Sequence, residues 1–207
     1  MKLIVFGATG GIGSQVVKQG LDAGHEITAV ARHPSAITLQ HECLNVVEGD
    51  VLEPDTVREV LAGQDVVISA LGVRNLAPTK LYSEGVKNIM HAMQALDVQR
   101  MFCISASGLE PGPLWERLIA KPLLWFILKN MYTDLVRMET MVKMSGLDWT
   151  ILRPPLLTNG PRTGRYQVAI NQQLSRNFSI ARADVADYMI NHLDDKETYG
   201  SIVELAY

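Results

Sequence analysis

Residues 2–13 read Lys-Leu-Ile-Val-Phe-Gly-Ala-Thr-Gly-Gly-Ile-Gly, a short apolar run that leads into closely spaced glycines. An unbroken apolar run of this length is typical of a parallel strand that is covered by helices on both faces. Gly7 would turn the chain, Gly10 would admit a phosphate close to the backbone, and Gly13 would let the next helix pack on the strand. The stretch predicts a strand, a tight turn and a helix to about Ala23, whose N-terminus would face a pyrophosphate.

The glycine spacing, Gly7-x-x-Gly10-x-x-Gly13, is a variant of the commoner dinucleotide-binding turn G-x-G-x-x-G. The alternative interpretation is a glycine-rich turn that binds no ligand, but the position directly after a strand favours a nucleotide site. No Gly-Lys-Ser/Thr follows at the spacing of a Walker phosphate loop. A site of that class is therefore excluded.

The composition is that of a soluble protein with a single core. The 207 residues include 19 basic and 22 acidic side chains, and the net charge of -3 offers no general attraction to nucleic acid or an anionic membrane. The most apolar later stretch, 123–128, is far shorter than the roughly 18 residues needed to span a bilayer. Cys43 and Cys103 stand in apolar surroundings, which favours buried thiols over a disulfide. With no export signal visible, the sequence predicts a cytoplasmic protein.

The rest of the chain alternates apolar strand patterns with helical ones. Alternation without a linker or repeat predicts one doubly wound, mostly parallel Rossmann-type α/β domain over 1–207. Pro154-Pro155 cannot continue a central ladder, so the chain should leave the sheet there and form a small substrate-side lobe over 154–182. Strands are predicted at 26–31, 44–48, 65–71, 100–104, 148–153, 166–170, 178–181 and 201–206, and helices at 55–62, 80–96, 133–144 and 184–193.

Several residues at the carboxyl ends of the predicted strands suit a dinucleotide. Arg32 follows the second strand, where an acidic residue would bind a ribose 2'-OH and an arginine suits a 2'-phosphate. It indicates NADP rather than NAD, with a solvent-exposed loop arginine as the alternative. Asp50 and Val51 would border the adenine. Gly72 closes the most clearly buried strand, where the backbone would pass close to the middle of the cofactor.

Ser105 and Ser107 follow the fifth strand, at the edge where open parallel sheets place their active sites. Both could equally be turn residues that bond their own backbone. The five histidines lie in no metal-ligand spacing and no Gly-x-Ser-x-Gly elbow is present. The sequence therefore predicts no metal site and neither a metal hydrolase nor a serine hydrolase.

Residues 109–131 form an apolar segment that prolines interrupt. Three interpretations are open: a helical lid over a hydrophobic substrate, a homo-oligomer or protein contact through 114–128, and ordinary core. Core or subunit contact is the favoured interpretation, because apolar residues are more often buried than left at a ligand.

Seven motifs are spread along the chain: Gly7-Ala8-Thr9-Gly10-x-x-Gly13, Gly49-Asp50-Val51, Gly63-Gln64-Asp65, Gly72-Val73-Arg74-Asn75, Ser83-Glu84-Gly85 with Asn88-Ile89, Ser145-Gly146-Leu147 and Arg153-Pro154-Pro155. Together they resemble the atypical short-chain dehydrogenase/reductases. Within these, the chain is similar to the NAD(P)-binding group that includes flavin reductase (biliverdin reductase B) and the NmrA-like proteins. The likeness covers nearly the whole chain except 109–131.

The resemblance implies an NADP(H) site and hydride transfer to a planar acceptor such as a flavin or quinone. It implies a pyrophosphate cradle at one end of the cofactor, a 2'-phosphate contact, an adenine border and a nicotinamide side. The implied cofactor-binding residues are Gly7, Thr9, Gly10, Gly11, Ile12 and Gly13 for the pyrophosphate, Arg32 for the 2'-phosphate, Asp50 and Val51 for adenine, and Leu71, Gly72, Arg74 and Pro154 toward the nicotinamide.

The residues expected to act in catalysis depart from the family pattern. Tyr132 lies in the helix where a Tyr-x-x-x-Lys pair is expected, but Val136 stands in place of the lysine whose charge lowers the tyrosine pKa. The flavin reductase lacks the pair too, yet it carries a histidine after its Pro-Pro where this chain has Leu156. Ser105 and Ser107 are thus the candidate hydrogen-bond donors, and Tyr132 is the third candidate catalytic residue.

Two functions are compatible with these residues. The first is an NADPH-dependent oxidoreductase in which positioning of the nicotinamide against a planar acceptor supplies most of the catalysis. The second is an NmrA-like dinucleotide-binding redox sensor or regulatory protein with little or no catalysis, and 114–128 as its partner surface. The missing tyrosine–lysine pair favours the second, and the motif likeness to a reductase favours the first.

Overall fold

The protein is built on one large β-sheet with helices on both faces. A computed structural model describes residues 1–73, 77–109, 121–174 and 178–207, and for 121–127 the backbone only. In chain order, the strands and helices of the described part are β1 (Lys2–Phe6), α1 (Gly11–Asp22), β2 (Glu26–Ala31), β3 (Leu44–Glu48), α2 (Pro54–Leu61), β4 (Val66–Ser69), α3 (Leu81–Ala95), β5 (Arg100–Ile104), α4 (Lys121–Lys143), β6 (Asp148–Leu152), β7 (Leu156–Thr158), β8 (Gln167–Ile170), β9 (Ser179–Ala181), α5 (Arg182–Asn191) and β10 (Ser201–Ala206).

The strand order of the main sheet is β3-β2-β1-β4-β5-β6-β10-β8. All neighbouring strands from β3 to β10 run parallel, and β8 pairs antiparallel with β10 at the edge. The order reverses between β1 and β4, which is the switch point where open α/β sheets bind ligands. The predicted doubly wound, mostly parallel α/β sheet is confirmed.

Strand β1 explains why its apolar run does not alternate with polar residues. Leu3 and Val5 lie in the core beneath α1 and α5, whereas Ile4 and Phe6 lie in the core beneath α2, α3 and α4. Successive side chains of a strand point to opposite faces, so a strand covered on both sides needs apolar residues at every position. All four side chains are at most 1% exposed.

The turn between β1 and α1 requires glycine at two positions. Gly7 has a φ of +80°, and a Cβ there would overlap the carbonyl oxygen of Ala70 on the neighbouring chain segment. A Cβ at Gly13 would overlap the carbonyl oxygen of Gly7 and lie 2.8 Å from its carbonyl carbon. The first turn of α1 therefore packs backbone against backbone on the end of β1.

Helix α4 begins earlier than the sequence predicts. The pattern predicts a helix over 133–144, but α4 spans Lys121–Lys143, so the C-terminal half of the predicted 109–131 insertion is helical. Pro122 suggested an interruption, yet proline is tolerated in the first turn of a helix, where its missing N–H has no intrahelical partner. Residues 110–120 lie outside the described residues and only the backbone of 121–127 is described, so Leu128 is the one residue of the predicted 114–128 contact surface whose side chain is described.

The chain leaves the main sheet after β6, as Pro154-Pro155 predicts. Strand β7 pairs in parallel with β9 in a separate two-stranded sheet, with Leu156 opposite Ser179. Strand β7 was not predicted, because three residues directly after two prolines show no periodicity. Strand β8, in contrast, returns to the main sheet.

Replacing Gly13 with alanine should destabilise the protein, because the new methyl group would overlap backbone atoms of Gly7 that cannot move without distorting the turn. We expect the free energy of unfolding to fall by about 1–3 kcal/mol, measured by urea denaturation without cofactor. Gly72→Ala is the matched control: no atom of the described residues lies within 4 Å of its Cβ position, so the change should stay within about 0.5 kcal/mol. Equal stability of the two variants would contradict this account of the turn.

Candidate functional site

A cavity of about 1180 Å³ opens at the carboxyl ends of the central strands, at the switch point between β1 and β4. It runs from the β1–α1 turn past the ends of β4 and β5 to β7. Most of the site residues predicted from the sequence line it. These are Gly7, Thr9, Gly10, Gly11, Ile12, Arg32, Asp50, Val51, Leu71, Gly72, Ser105, Ser107, Tyr132 and Pro154.

Two predicted cofactor residues do not line the cavity within the described part of the chain. Gly13 lies behind the turn, against Gly7, so its contribution is to the position of α1. Arg74 lies outside the described residues. The remaining roles assigned from the sequence stay predictions.

The N-terminus of α1 forms one end of the cavity. The first N–H groups of a helix have no intrahelical acceptor. Gly10 is the N-cap residue of α1 and makes no side-chain hydrogen bond to these groups. Such groups, together with the helix dipole, favour an anion. At Gly72, further along the cavity, neither the φ angle nor a neighbouring atom within the described part of the chain requires glycine. Both features fit a phosphate-bearing ligand that lies close to the backbone.

The wall at Val51 is held by contacts from α3. Asn88 donates a 2.9 Å hydrogen bond from Nδ2 to the Val51 carbonyl oxygen, and Gly85 lets the Val51 side chain approach, since a Cβ there would lie 2.8 Å from Val51 Cγ2. Asp50 Oδ1 accepts a hydrogen bond from the Leu52 N–H, which shapes the turn. Asn88 and Gly85 belong to a motif noted in the sequence, but only the structure shows what they support.

The Ser105 hydroxyl is committed to a buried ion pair beneath the cavity. Its Oγ donates to Glu139 Oε1 at 2.7 Å, and the same carboxylate accepts two hydrogen bonds from Arg153, at 2.8 Å from Nε and 2.6 Å from Nη2. The Arg153 and Glu139 side chains are 5% and 4% exposed. A serine hydroxyl has only one hydrogen to donate, so Ser105 cannot donate to a ligand while this bond persists.

The charge state of Glu139 follows from its neighbours. Burial alone would raise its pKa, but the hydrogen bonds and charge of Arg153, the Ser105 hydrogen bond and the charge of Lys143 outweigh burial and hold the pKa below its ordinary value. Glu139 is therefore a carboxylate at neutral pH. Its ion pair anchors Arg153, the residue that directly precedes Pro154 at the cavity wall. Glu139 was not predicted as a site residue, because no local pattern links it to Arg153.

Ser107 and Tyr132 meet at the end of β5. The Tyr132 hydroxyl donates to the Ser107 carbonyl oxygen at 3.3 Å, and burial raises the tyrosine pKa. Val136, four residues further along α4, is exposed. Within the described residues, the Ser107 hydroxyl has no hydrogen-bond partner, and its N–H donates to the Pro154 carbonyl oxygen. Of the three predicted catalytic side chains, only Ser107 has a hydroxyl not already bound to another protein group.

Arg182, the first residue of α5, also lines the cavity, and the sequence analysis did not select it. Its side chain crosses the start of α1, where a Cβ at Gly11 would overlap Arg182 Cδ and lie 2.6 Å from Nε. The spacing Gly7-x-x-Gly10-x-x-Gly13 leaves Gly11 unexplained. This additional glycine was the sequence signal that another chain segment passes close to the start of α1, although it could not identify Arg182 as that segment.

The end of the cavity near β7 is apolar. Leu156 lines it and is 72% exposed, and the neighbouring Phe178, just before β9, is 78% exposed. Leu157, Met131 and Leu135 continue the apolar lining. The cavity thus combines a polar end at α1 with an apolar end at the small sheet.

The described ranges contain neither a metal-binding cluster nor a membrane-spanning helix. No group of three or more His, Cys, Asp or Glu side chains there could hold a metal ion. None of the helices there is both long and apolar enough to cross a membrane.

The fold and the glycine turn at its switch point are those of Rossmann-type nucleotide-binding proteins. A family model described as NAD(P)H-binding matches residues 7–196. The chain belongs to this NAD(P)H-binding family, and the match confirms the NAD(P)-binding resemblance predicted from the motifs.

Two similar proteins come from photosynthetic organisms. An uncharacterised chloroplastic protein of Arabidopsis thaliana is 29% identical over 99% of this chain and 76% of its own length. The photosystem II assembly factor Ycf39 of Cyanophora paradoxa is 26% identical over 99% of this chain and 63% of its own length. The chain therefore spans less than two thirds of Ycf39.

Solved structures share the fold. The anaerobillin reductase ChuY of Escherichia coli O157:H7 has a TM-score of 0.79 at 23% identity, over 100% of this chain and 97% of its own. A short-chain dehydrogenase/reductase of Veillonella parvula, solved in complex with NADP, has a TM-score of 0.81 at 19% identity, and the match covers 100% of this chain and 94% of the other. At these identities, the likeness concerns the fold alone.

Replacing Glu139 with glutamine should destabilise the protein by about 3 kcal/mol at pH 7, because the buried Arg153 would lose the carboxylate charge that accepts two of its hydrogen bonds. Since the folded pKa of Glu139 is lowered, its contribution is complete above the unfolded carboxyl pKa of about 4.3. It is lost as the pH falls from there through the folded value. Urea denaturation of both proteins across this range should show the difference shrink.

The matched control for this change is Glu84→Gln, which removes an exposed ion pair with Lys87. Exposed pairs contribute at most about 1 kcal/mol, so the control should change stability little and without a comparable pH dependence. A Glu139→Gln variant as stable as this control would refute the importance of the buried pair.

Proposed function

We propose that the protein is an NADPH-dependent oxidoreductase that transfers hydride to a planar acceptor such as a flavin or quinone. One observation carries the proposal: a single cavity joins the N-terminus of α1 and Arg32 to an apolar end at Leu156. That arrangement suits a phosphate-bearing dinucleotide at one end and a flat, apolar acceptor at the other. The NAD(P)H-binding family supplies the cofactor class.

In this proposal, the chain holds the cofactor mainly through backbone and shape. The β1–α1 turn, with Gly10 and Thr9, would bind the diphosphate, and Arg32 would bind the 2'-phosphate of the adenosine ribose. Asp50 and Val51 would border the adenine, and Gly72 would let the backbone approach the middle of the cofactor. When bound, the nicotinamide supplies a hydride.

The other residues would orient the reactants. Leu71 and Pro154 would form walls beside the nicotinamide, and the Arg153–Glu139 ion pair would keep Pro154 in place. Ser107 is the proposed hydrogen-bond donor to the acceptor, because the hydrogen of Ser105 is used by Glu139. Tyr132 would shape the wall through its bond to Ser107. Catalysis would then come mainly from orientation at close distance.

The source of the proton favours a redox acceptor over a simple carbonyl. No histidine is among the described residues that line the cavity, and burial raises the pKa of Tyr132 and of Tyr82, which also line it. A buried tyrosine whose pKa is raised is a poor acid at neutral pH. The proton would come from water, which a reduced flavin or quinone can use directly.

A second candidate function is an NmrA-like dinucleotide sensor or regulatory protein with little or no catalysis. The specific observation in its favour is that Val136 occupies the place of the lysine of the Tyr-x-x-x-Lys pair and faces solvent. A sensor must bind oxidised and reduced cofactor with different affinities, because a ligand shifts an equilibrium only through differential binding. In that case 114–128 is the proposed partner or homo-oligomer surface.

The organisation of the chain adds two further proposals. We propose a single domain over 1–207, in which 154–182 serves as the acceptor-side lobe that carries β7 and β9. We also propose a cytoplasmic location. A metal ion has no part in the proposed reaction.

Replacing Arg32 with glutamate should weaken NADPH relative to NADH by about 1–3 kcal/mol, roughly 5- to 150-fold in the ratio of dissociation constants. The reason is that a carboxylate would repel the 2'-phosphate that Arg32 is proposed to bind. Fluorescence titration with both cofactors measures the ratio. Arg137→Glu on the outer face of α4 makes the same charge change away from the cavity and should leave the ratio unchanged. An unaltered ratio in Arg32→Glu would place the 2'-phosphate elsewhere.

The purified protein should oxidise NADPH in the presence of FMN or a quinone, followed by the loss of NADPH absorbance under anaerobic conditions. Turnover with comparable affinities for NADP and NADPH supports the oxidoreductase and speaks against the sensor. Tight NADPH binding without turnover over a broad acceptor panel would reject the oxidoreductase, and a strong preference for one redox form would then favour the sensor. Absence of dinucleotide binding would reject both.

A further inference from the structure

The position of Arg182 is fixed relative to α1. Helix α5 packs along α1, and the buried Gln19 of α1 donates a 2.9 Å hydrogen bond from Nε2 to the Ala183 carbonyl oxygen at the start of α5. The Arg182 stem then passes over the Gly11 backbone so closely that a Cβ would overlap Cδ. The guanidinium is thereby placed at the N-terminal end of α1, with little room to move toward that helix.

The guanidinium is only partly used by the protein. A guanidinium offers five N–H donors in a planar fork. Nη1 donates to Asn159 Oδ1 at 2.7 Å and to the Leu157 carbonyl oxygen at 3.3 Å. Nε and Nη2 donate to no acceptor among the described residues, so three N–H groups in the geometry of a bidentate phosphate contact are available.

We propose that Arg182 binds the diphosphate of the dinucleotide beside the N-terminus of α1. The cavity lining supports this choice, because Arg32 and Arg182 are the only cationic side chains among the described lining residues. Arg32 is proposed to bind the 2'-phosphate, which leaves Arg182 as the counter-charge for the diphosphate. This inference rests on the proposed cofactor site but not on turnover.

The same side chain links the two ends of the cavity. Through Nη1, Arg182 holds Leu157 of β7 and Asn159 just beyond it, and through its other donors it would hold the cofactor. Binding of a diphosphate would therefore restrain β7, which carries the apolar Leu156. The competing role for Arg182 is to bind an anionic group on the acceptor, and the experiment below separates the two.

The test is calorimetric titration of the wild type, Arg182→Gln and Arg182→Lys with two probes: NADP, which contains the diphosphate, and 2'-AMP, which lacks it. Arg182→Gln should weaken NADP by about 10- to 100-fold, the scale of a lost charge-assisted contact, and leave 2'-AMP unchanged. Arg182→Lys, which keeps the charge but not the fork, should lose less. Arg165→Gln, an exposed arginine outside the cavity lining, is the matched control and should bind both probes like the wild type.

Three results would overturn the inference. The first is unchanged NADP binding by Arg182→Gln. The second is an equal loss of affinity for NADP and 2'-AMP, which would indicate a general disturbance of the site. The third is an effect of the substitution that is confined to the KM of anionic acceptors. Thermal denaturation of each variant shows whether it is folded. A wild type that binds no dinucleotide overturns the proposed function together with this inference, whereas a wild type that binds NADP no better than Arg182→Gln does overturns the inference alone.

Discussion

The close approach of backbone to backbone at the end of β1 is the constraint on which the rest of the site depends. Gly7 and Gly13 have no side chains where the carbonyl oxygens of Ala70 and Gly7 lie, so α1 can start directly at the end of the strand. Because β1 pairs with both β2 and β4, this start falls at the switch point of the sheet. Side chains at these two positions would push α1 away from the end of β1. The helix N-terminus would then lie further from the cavity at the ends of the parallel strands.

A second constraint acts beneath the other half of the cavity. The buried pair of Glu139 and Arg153 ties α4 to the residue before Pro154, and it occupies the hydroxyl of Ser105. Two hydrogen-bonded charges that are buried together tolerate little movement, because separating them costs free energy where water cannot replace the lost contact. The pair thus makes the wall at Pro154 rigid, and the proposed reaction would benefit from this, because it relies on the orientation of the reactants.

The strands and the cavity-lining positions that were predicted from the sequence follow from local patterns of apolar and turn residues. The bounds of β2, β3, β5 and β10 agree with the predictions, because short buried runs ended by turn residues are strong local signals. The cavity-lining positions at the strand ends were also predictable, since parallel topology brings them together. Glu139, Asn88 and Arg182 were not, because each acts through a partner 14 to 171 positions away in the chain, and no period or spacing records such a contact.

The crossing of Arg182 over Gly11 also bears on how the protein matures during synthesis. The β1–α1 turn leaves the ribosome well before α5, so the Arg182 side chain that lies over Gly11 and the Ala183 partner of Gln19 both emerge later. If Arg182 binds the diphosphate as proposed, the turn gains this contact only after α5 has been synthesised. A nascent chain could form β1 and α1 early, yet it would bind the diphosphate fully only once α5 has docked on α1.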